Sequence, residues 1–254
     1  MEGSSSSKYI IGTGEILHQN GWDIAAINYR GCSGMINKKA RFYHSGATDD
    51  IHEVVLQIGK NYNEIALIGF SLGGNLVLKY LGENVFASAR AVMSVVAISV
   101  PVDLEAGSKQ ISKKSNFIYE KKFLKSLRIK VKDKSEQFPE LLDPTLLKSI
   151  NSIYDFDDVY TSKLHGFKSA VDYYKQSNSK QFLGGIKVPT LIINALDDPF
   201  LPKPCYPTKE ANRNPWITLI TPKYGGHVGF ASTTASHYWE EEVINLYLNE
   251  VSSY

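Results

Sequence analysis

Two kinds of hydrophobic run alternate along the chain. Short, nearly unbroken apolar runs occur at Asp23–Tyr29 (DIAAINY), Ile65–Ile68, Ala89–Ser99, Val188–Asn194 and Trp216–Thr221. Runs of this length and composition fit strands covered on both faces. Between them, apolar residues recur at helical spacing. They do so over Lys8–Asn20 (Ile10, Ile11, Ile16, Leu17), Thr48–Lys60 (Ile51, Val54, Val55, Ile58), the stretch after Gly73 (Leu76, Val77, Tyr80) and Trp239–Val251 (Val243, Ile244, Tyr247, Leu248). Thr48 is a good N-cap with Asp49 and Asp50 behind it, and Asn20-Gly21 is a stop signal. Strands alternating with helices predict an α/β fold with a mostly parallel sheet and helices on both faces.

From about 104 to 182 the pattern changes. Apolar residues thin out and three helices are predicted, over Lys109–Lys134, Leu141–Ile153 and Phe167–Gln176. A helical insertion between two strands of such a sheet sits over their carboxyl ends, where ligands bind. The expected organisation is one domain over residues 1–254 with a lid or cap at about 104–182. Lys109–Lys134 holds ten basic residues against Glu120 and Asp133, interleaved with Phe117, Ile118, Phe123, Leu124 and Leu127. A solvated helix face accounts for that pattern. Peripheral contact with an anionic membrane surface is the alternative.

Composition narrows the class. At 254 residues, 43% hydrophobic and 21% charged, the chain reads as an ordinary globular α/β protein. A net charge of +2 gives no reason to expect nucleic acid as a partner. No apolar run reaches the roughly 18 residues of a membrane span, and MEGSSSSKY has neither the basic nor the apolar region of a signal peptide. Cys32 and Cys205 make no disulfide framework. A cytoplasmic location is the expectation. The spacings H-x-x-H, H-E-x-x-H and C-x-x-C are missing from the sequence, so neither a metal nor a cofactor is expected.

The candidate chemistry lies in Glu64–Tyr80, EIALIGFSLGGNLVLKY. Gly69-Phe70-Ser71-Leu72-Gly73 is G-x-S-x-G between a predicted strand and a predicted helix, the context of a nucleophile elbow. The pentapeptide alone has roughly a one-in-ten chance of occurring in a chain this long. Its strand–turn–helix setting makes Ser71 the candidate nucleophile. The N–H of Leu72, at a helix N-terminus, is a candidate oxyanion donor.

A serine hydroxyl needs a base, and the base an orienting acid. In the order Ser, Asp, His each should follow a strand downstream of Ser71. Asp197 and Asp198 follow the strand at Val188–Asn194, and either fits. His227, in the glycine-rich KYGGHVGF after the last strand, has the right order and context. His18 and His52 lie on predicted helices, His237 precedes one, and His44 and His165 lie in polar loops.

Several stretches together resemble α/β-hydrolases of the YheT-like group, a group that includes eukaryotic α/β-hydrolase-domain esterases and lipases and yeast medium-chain ester synthases. They are EGSSSSKY, NYRGCSG, FYHSGATDD, GFSLGGNLVLKYLGE, SVPVDL, DFDDVYTSKLHGFKSAVDYY, NALDDPFLP and GGHVGF, in order over nearly the whole chain. The resemblance implies a triad of Ser71, Asp198 and His227, with Asp197 as the alternative acid. It also implies His-Gly-Leu ahead of EGSS, preceded by further strands. Met1 occupies the place of that leucine and is the candidate second oxyanion site. Without the earlier strands, the edge of Asp23–Tyr29 is expected to lack a partner. The implied activity is hydrolysis of carboxylic, including lipid, esters through an acyl-enzyme. Acyl transfer to an alcohol on the same triad, and a non-catalytic lipid- or partner-binding role, are the alternatives.

Overall fold

The computed structural model describes residues 2–83, 91–232 and 237–252. Four parallel strands form one sheet in the order β1-β2-β3-β4: β1 Ile65–Phe70, β2 Val92–Ile98, β3 Thr190–Ile193 and β4 Ile217–Ile220. Helices α1 (Lys8–Gln19) and α2 (Thr48–Ile58) precede the sheet, and α3 (Leu72–Glu83) leaves the end of β1. Between β2 and β3 come α4 (Leu104–Ile111), α5 (Phe117–Ser135), α6 (Ile153–Phe156), α7 (Ser162–Leu164) and α8 (Ala170–Ser177). Then α9 (Thr208–Arg213) precedes β4, and α10 (Trp239–Ser252) follows it.

The pleat sorts the strand residues onto two faces. Val95, Ala97 and Ile192 pack with Leu76, Leu78 and Tyr80 of α3 and Ile51 and Val55 of α2. Val96, Ile98, Leu191 and Ile193 face the other way, onto Ile16 and Leu17 of α1 and Ile244 and Leu248 of α10. Burial on both faces is why these strands read as unbroken apolar runs. A third cluster, with Leu124, Val131, Leu142, Ile150 and Phe156, lies within the helices after β2.

Three sequence expectations are corrected. Asp23–Tyr29 is not a buried strand: it is irregular, with Ile24 45% and Ile27 42% exposed. Its flank of the sheet ends at β1, which is an edge strand among the described residues. A groove of about 920 Å³ is lined both by Ile24, Ala26 and Ile27 and by Ile65, Ala66 and Ile68. The segment and the open edge of β1 both line this groove but do not pair, so the backbone groups of Asp23–Tyr29 belong to no ladder.

The basic stretch is not one helix. It breaks at Ser112–Asn116, where Asn116 Nδ2 donates to Gln110 O (3.0 Å) and Pro199 O (2.8 Å) and so fixes the corner. Leu141–Ile153 holds only a 3-10 turn, Pro144–Ser149, before α6 begins. The side chains of Asp143 and Ser152 cap the backbone N–H groups of Thr145 and Asp155 and punctuate the segment. The expected strand at Ala89–Ser99 starts at Val92, and residues 84–90 lie outside the described residues.

Candidate active site

Ser71 sits in the one-residue turn between β1 and α3, at φ +53°. That is the left-handed region, which a non-glycine residue enters only when its surroundings hold it there. The hold is visible: Ser71 N–H donates to Ile98 O on β2 (2.7 Å), and Ser71 O accepts from Asn75 N–H (3.2 Å). The flanking glycines are needed for space. A Cβ on Gly69 would lie 2.3 Å from Gly73 O, and one on Gly73 would lie 2.8 Å from the Tyr29 hydroxyl. The close approach of strand and helix thus requires glycine at position 69, whereas at 73 the neighbour is the end of the Tyr29 side chain. Leu72 opens α3, where backbone N–H groups have no partner inside the helix. Met1, the other expected oxyanion position, lies outside the described residues.

The loops after β3 and β4 bring the two other groups to Ser71. His227 Nε2 is 3.0 Å from Ser71 Oγ, and His227 Nδ1 is 2.8 Å from Asp198 Oδ2. An ionised carboxylate only accepts, so Nδ1 carries the hydrogen and Nε2 offers its lone pair to the serine hydroxyl. The Asp198 side chain is fully buried, and its other oxygen accepts from Phe200 N–H (2.9 Å). Asp197 is exposed and points elsewhere, accepting from Gly226 N–H (2.8 Å). Of the two acids that fit by sequence, only Asp198 touches the imidazole.

Several residues of the resembling stretches that were not singled out individually support this chain of contacts. Ser99, at the end of β2, has φ +52°, and its hydroxyl accepts from Val228 N–H (3.1 Å). Val228 is itself at φ +54°, so the backbone beside His227 is held from a second strand. The Phe200 ring packs on the His227 ring at 4.6 Å between centroids. Buried Asn194 accepts from Val100 N–H (2.7 Å) and donates to Cys205 O (2.9 Å), pinning the base of the Asp198 loop. Pro199, beside the acid, could have flagged Phe200 as part of a rigid turn. Ser99 opens the SVPVDL stretch, but its place beside His227 depends on β3, where its N–H donates to Ile193 O (2.8 Å).

His44 and His165 pack ring to ring at 4.4 Å, with Phe167 and Tyr173 close to His44. Burial, followed by the neighbouring His165, pushes the His44 pKa down to about 3. His44 is therefore neutral at ordinary pH and is a packing residue between the loop before α2 and α8.

A model of the alpha/beta hydrolase fold matches residues 3–232. The putative esterase YheT of Escherichia coli (strain K12) is 35% identical over 241 residues, covering 93% of this chain and 70% of that protein. Phospholipase ABHD3 of Mus musculus is 29% identical over 233 residues, 91% of this chain, and this chain spans only 56% of its length. Among solved structures, the Pyrococcus furiosus esterase Pf2001 superposes with a TM-score of 0.61 at 16% identity, over 98% of this chain and 78% of that one. That likeness concerns the fold. Taken with the family match and the YheT relative, it means that the chain belongs to the α/β-hydrolase fold family, in its YheT-like group.

Proposed function

We propose that this chain hydrolyses carboxylic esters through an acyl-enzyme formed on Ser71. The observation that carries the reading is the continuous contact Ser71 Oγ–His227 Nε2 (3.0 Å) and His227 Nδ1–Asp198 Oδ2 (2.8 Å), with the serine held at the start of a helix. The esterase and phospholipase names of its relatives point the same way.

The chemistry follows from the contacts. Ser71 Oγ attacks the ester carbonyl carbon while its proton passes to His227 Nε2. The carbonyl oxygen becomes an oxyanion, facing the Leu72 N–H and the positive end of α3. The ester C–O bond then breaks, and His227 returns the proton to the departing alcohol oxygen. Water repeats the sequence on the acyl-enzyme: His227 takes its proton, the acid is released, and Ser71 recovers its own. Asp198 keeps the imidazole in the reactive tautomer and stabilises it when it is charged. The helices between β2 and β3 act as the lid. Gln110 on α4 and Asn116 before α5 both donate to Pro199 O, so the lid is tied to the loop that holds the acid.

The test uses a fluorophosphonate probe and p-nitrophenyl esters of increasing chain length. The wild type should label covalently, and Ser71→Ala should lose all labelling and reduce turnover by a factor on the order of 10⁶. Equal labelling of the two proteins would remove Ser71 from the chemistry.

A further inference from the structure

The lid presents to solvent a surface that the triad does not use. At the start of α5, Phe117 is 60% exposed, Ile118 78% and Tyr119 48%. Large apolar side chains so exposed in consecutive positions stand out from the scattered apolar atoms of a normal surface. The outer face of the helix continues with Lys122, Lys125, Ile129 and Lys132, at spacings of three and four from Ile118. Lys113 and Lys114 precede the apolar triplet and Lys121 follows it, its ammonium 5.7 Å from the Phe117 ring centre.

This positive charge is not neutralised locally. Lys113, Lys114, Lys121, Lys122 and Lys125 are all exposed, and none of them forms an ion pair among the described residues. Glu120, the nearest acid in the helix, is turned inward to Ser112 Oγ (2.5 Å) and Ile153 N–H (3.1 Å). Apolar tips ringed by lysines on one face of a helix match the two layers of an anionic bilayer surface. The rings and Ile118 enter the acyl boundary, and the ammonium groups stay with the phosphates.

The surface also leads to the reacting atoms. Tyr119 lies edge-on to Phe200 at 4.9 Å, and Phe200 packs on the His227 ring at 4.6 Å. Two aromatic contacts thus connect the exposed tip of the lid with the imidazole.

We propose that the start of α5 and its outer lysine face dock this protein on an anionic lipid bilayer. The Tyr119–Phe200 edge is then turned toward the membrane, so that an ester drawn from the bilayer meets His227 and Ser71 without crossing bulk water. The docking stands on the surface alone; what it delivers rests on the hydrolase reading.

The test is co-sedimentation of the full chain with vesicles of phosphatidylcholine alone, and with one-third phosphatidylserine, at low ionic strength. Binding to the anionic vesicles should be about 10-fold or more tighter than to neutral ones, and should fall as salt is raised. The triple variant Lys121→Glu/Lys122→Glu/Lys125→Glu should lose that preference. Ile118→Ser should weaken binding several-fold. Both variants should keep the wild-type far-ultraviolet dichroism and thermal midpoint, because the altered side chains are exposed. Ser71→Ala should bind vesicles like the wild type, which separates failure of the docking from failure of the hydrolase reading. A wild type that stays in the supernatant with anionic vesicles, binds both vesicle types equally, or is matched by the triple variant overturns the proposal.

Discussion

The segments Asp23–Tyr29 and Ile65–Phe70 have closely similar apolar composition, and both face one groove. Yet Ile65–Phe70 is a strand paired along its length with β2, whereas Asp23–Tyr29 is irregular, with its two isoleucines more than 40% exposed. The difference lies in the partners. Ile65 and Leu67 pack against α2 and α3, and β2 pairs one edge of β1 along its length. The first segment has no strand beside it among the described residues. A strand is a property of a pair, and apolar composition alone does not make one.

Adjacent side chains repeat the lesson. Asp197 and Asp198 have the same chemistry and follow the same strand, but Asp198 is buried against His227 while Asp197 braces Gly226 from the surface. The largest expected effect in the comparison is therefore at this pair. Asp198→Asn should lower kcat by on the order of 10⁴. Asp197→Asn, which leaves the imidazole contact intact, should cost about 10-fold or less by the same reasoning. Steady-state kinetics on one ester measures both, and a larger loss at Asp197 would reverse the assignment.

Stability tests the unpaired segment against a strand of the sheet. Ile192 on β3 is fully buried between strands and helices, so Ile192→Ala should cost about 2–5 kcal/mol in denaturant unfolding. Ile27→Ala, at a side chain 42% exposed, should stay within about 0.5 kcal/mol. A cost at Ile27 comparable to that at Ile192 would mean that the segment is packed in solution.

The most specific effect belongs to the helical layer. Burial raises the Asp157 carboxyl to about 6, although hydrogen bonds from Thr161 and Tyr174 act to lower it. The folded state therefore holds this proton longer than the unfolded chain does. Its contribution to stability falls as pH rises from the unfolded value, near 4, through 6, and the cost persists above that. Asp157→Asn should remove this dependence. Relative to wild type, the variant should gain on the order of 2 kcal/mol of unfolding free energy between about pH 4 and about pH 7. No relative gain over that range would show that the carboxyl is ionised at little cost in the fold.

Much of this protein was legible in its sequence. Ile65–Tyr80 carries strand, turn, candidate nucleophile and helix in consecutive residues, because hydrophobic period and glycine spacing are short-range properties. The order of Ser71, the acids and His227 along the chain, and the placing of each after a strand, were also readable. What only the tertiary structure decided depends on partners far away in the chain. That Asp198 and not Asp197 meets an imidazole depends on His227, 29 positions on. The break between α4 and α5 was set by Pro199, bonded from Asn116 across 83 positions. Ser99 holds the backbone beside His227 across 129 positions. Asp23–Tyr29 stays irregular because it pairs with no strand among the described residues, which its own composition does not reveal. Local pattern determines what a segment can become, and hydrogen-bond partners brought together by folding decide which of those states it adopts.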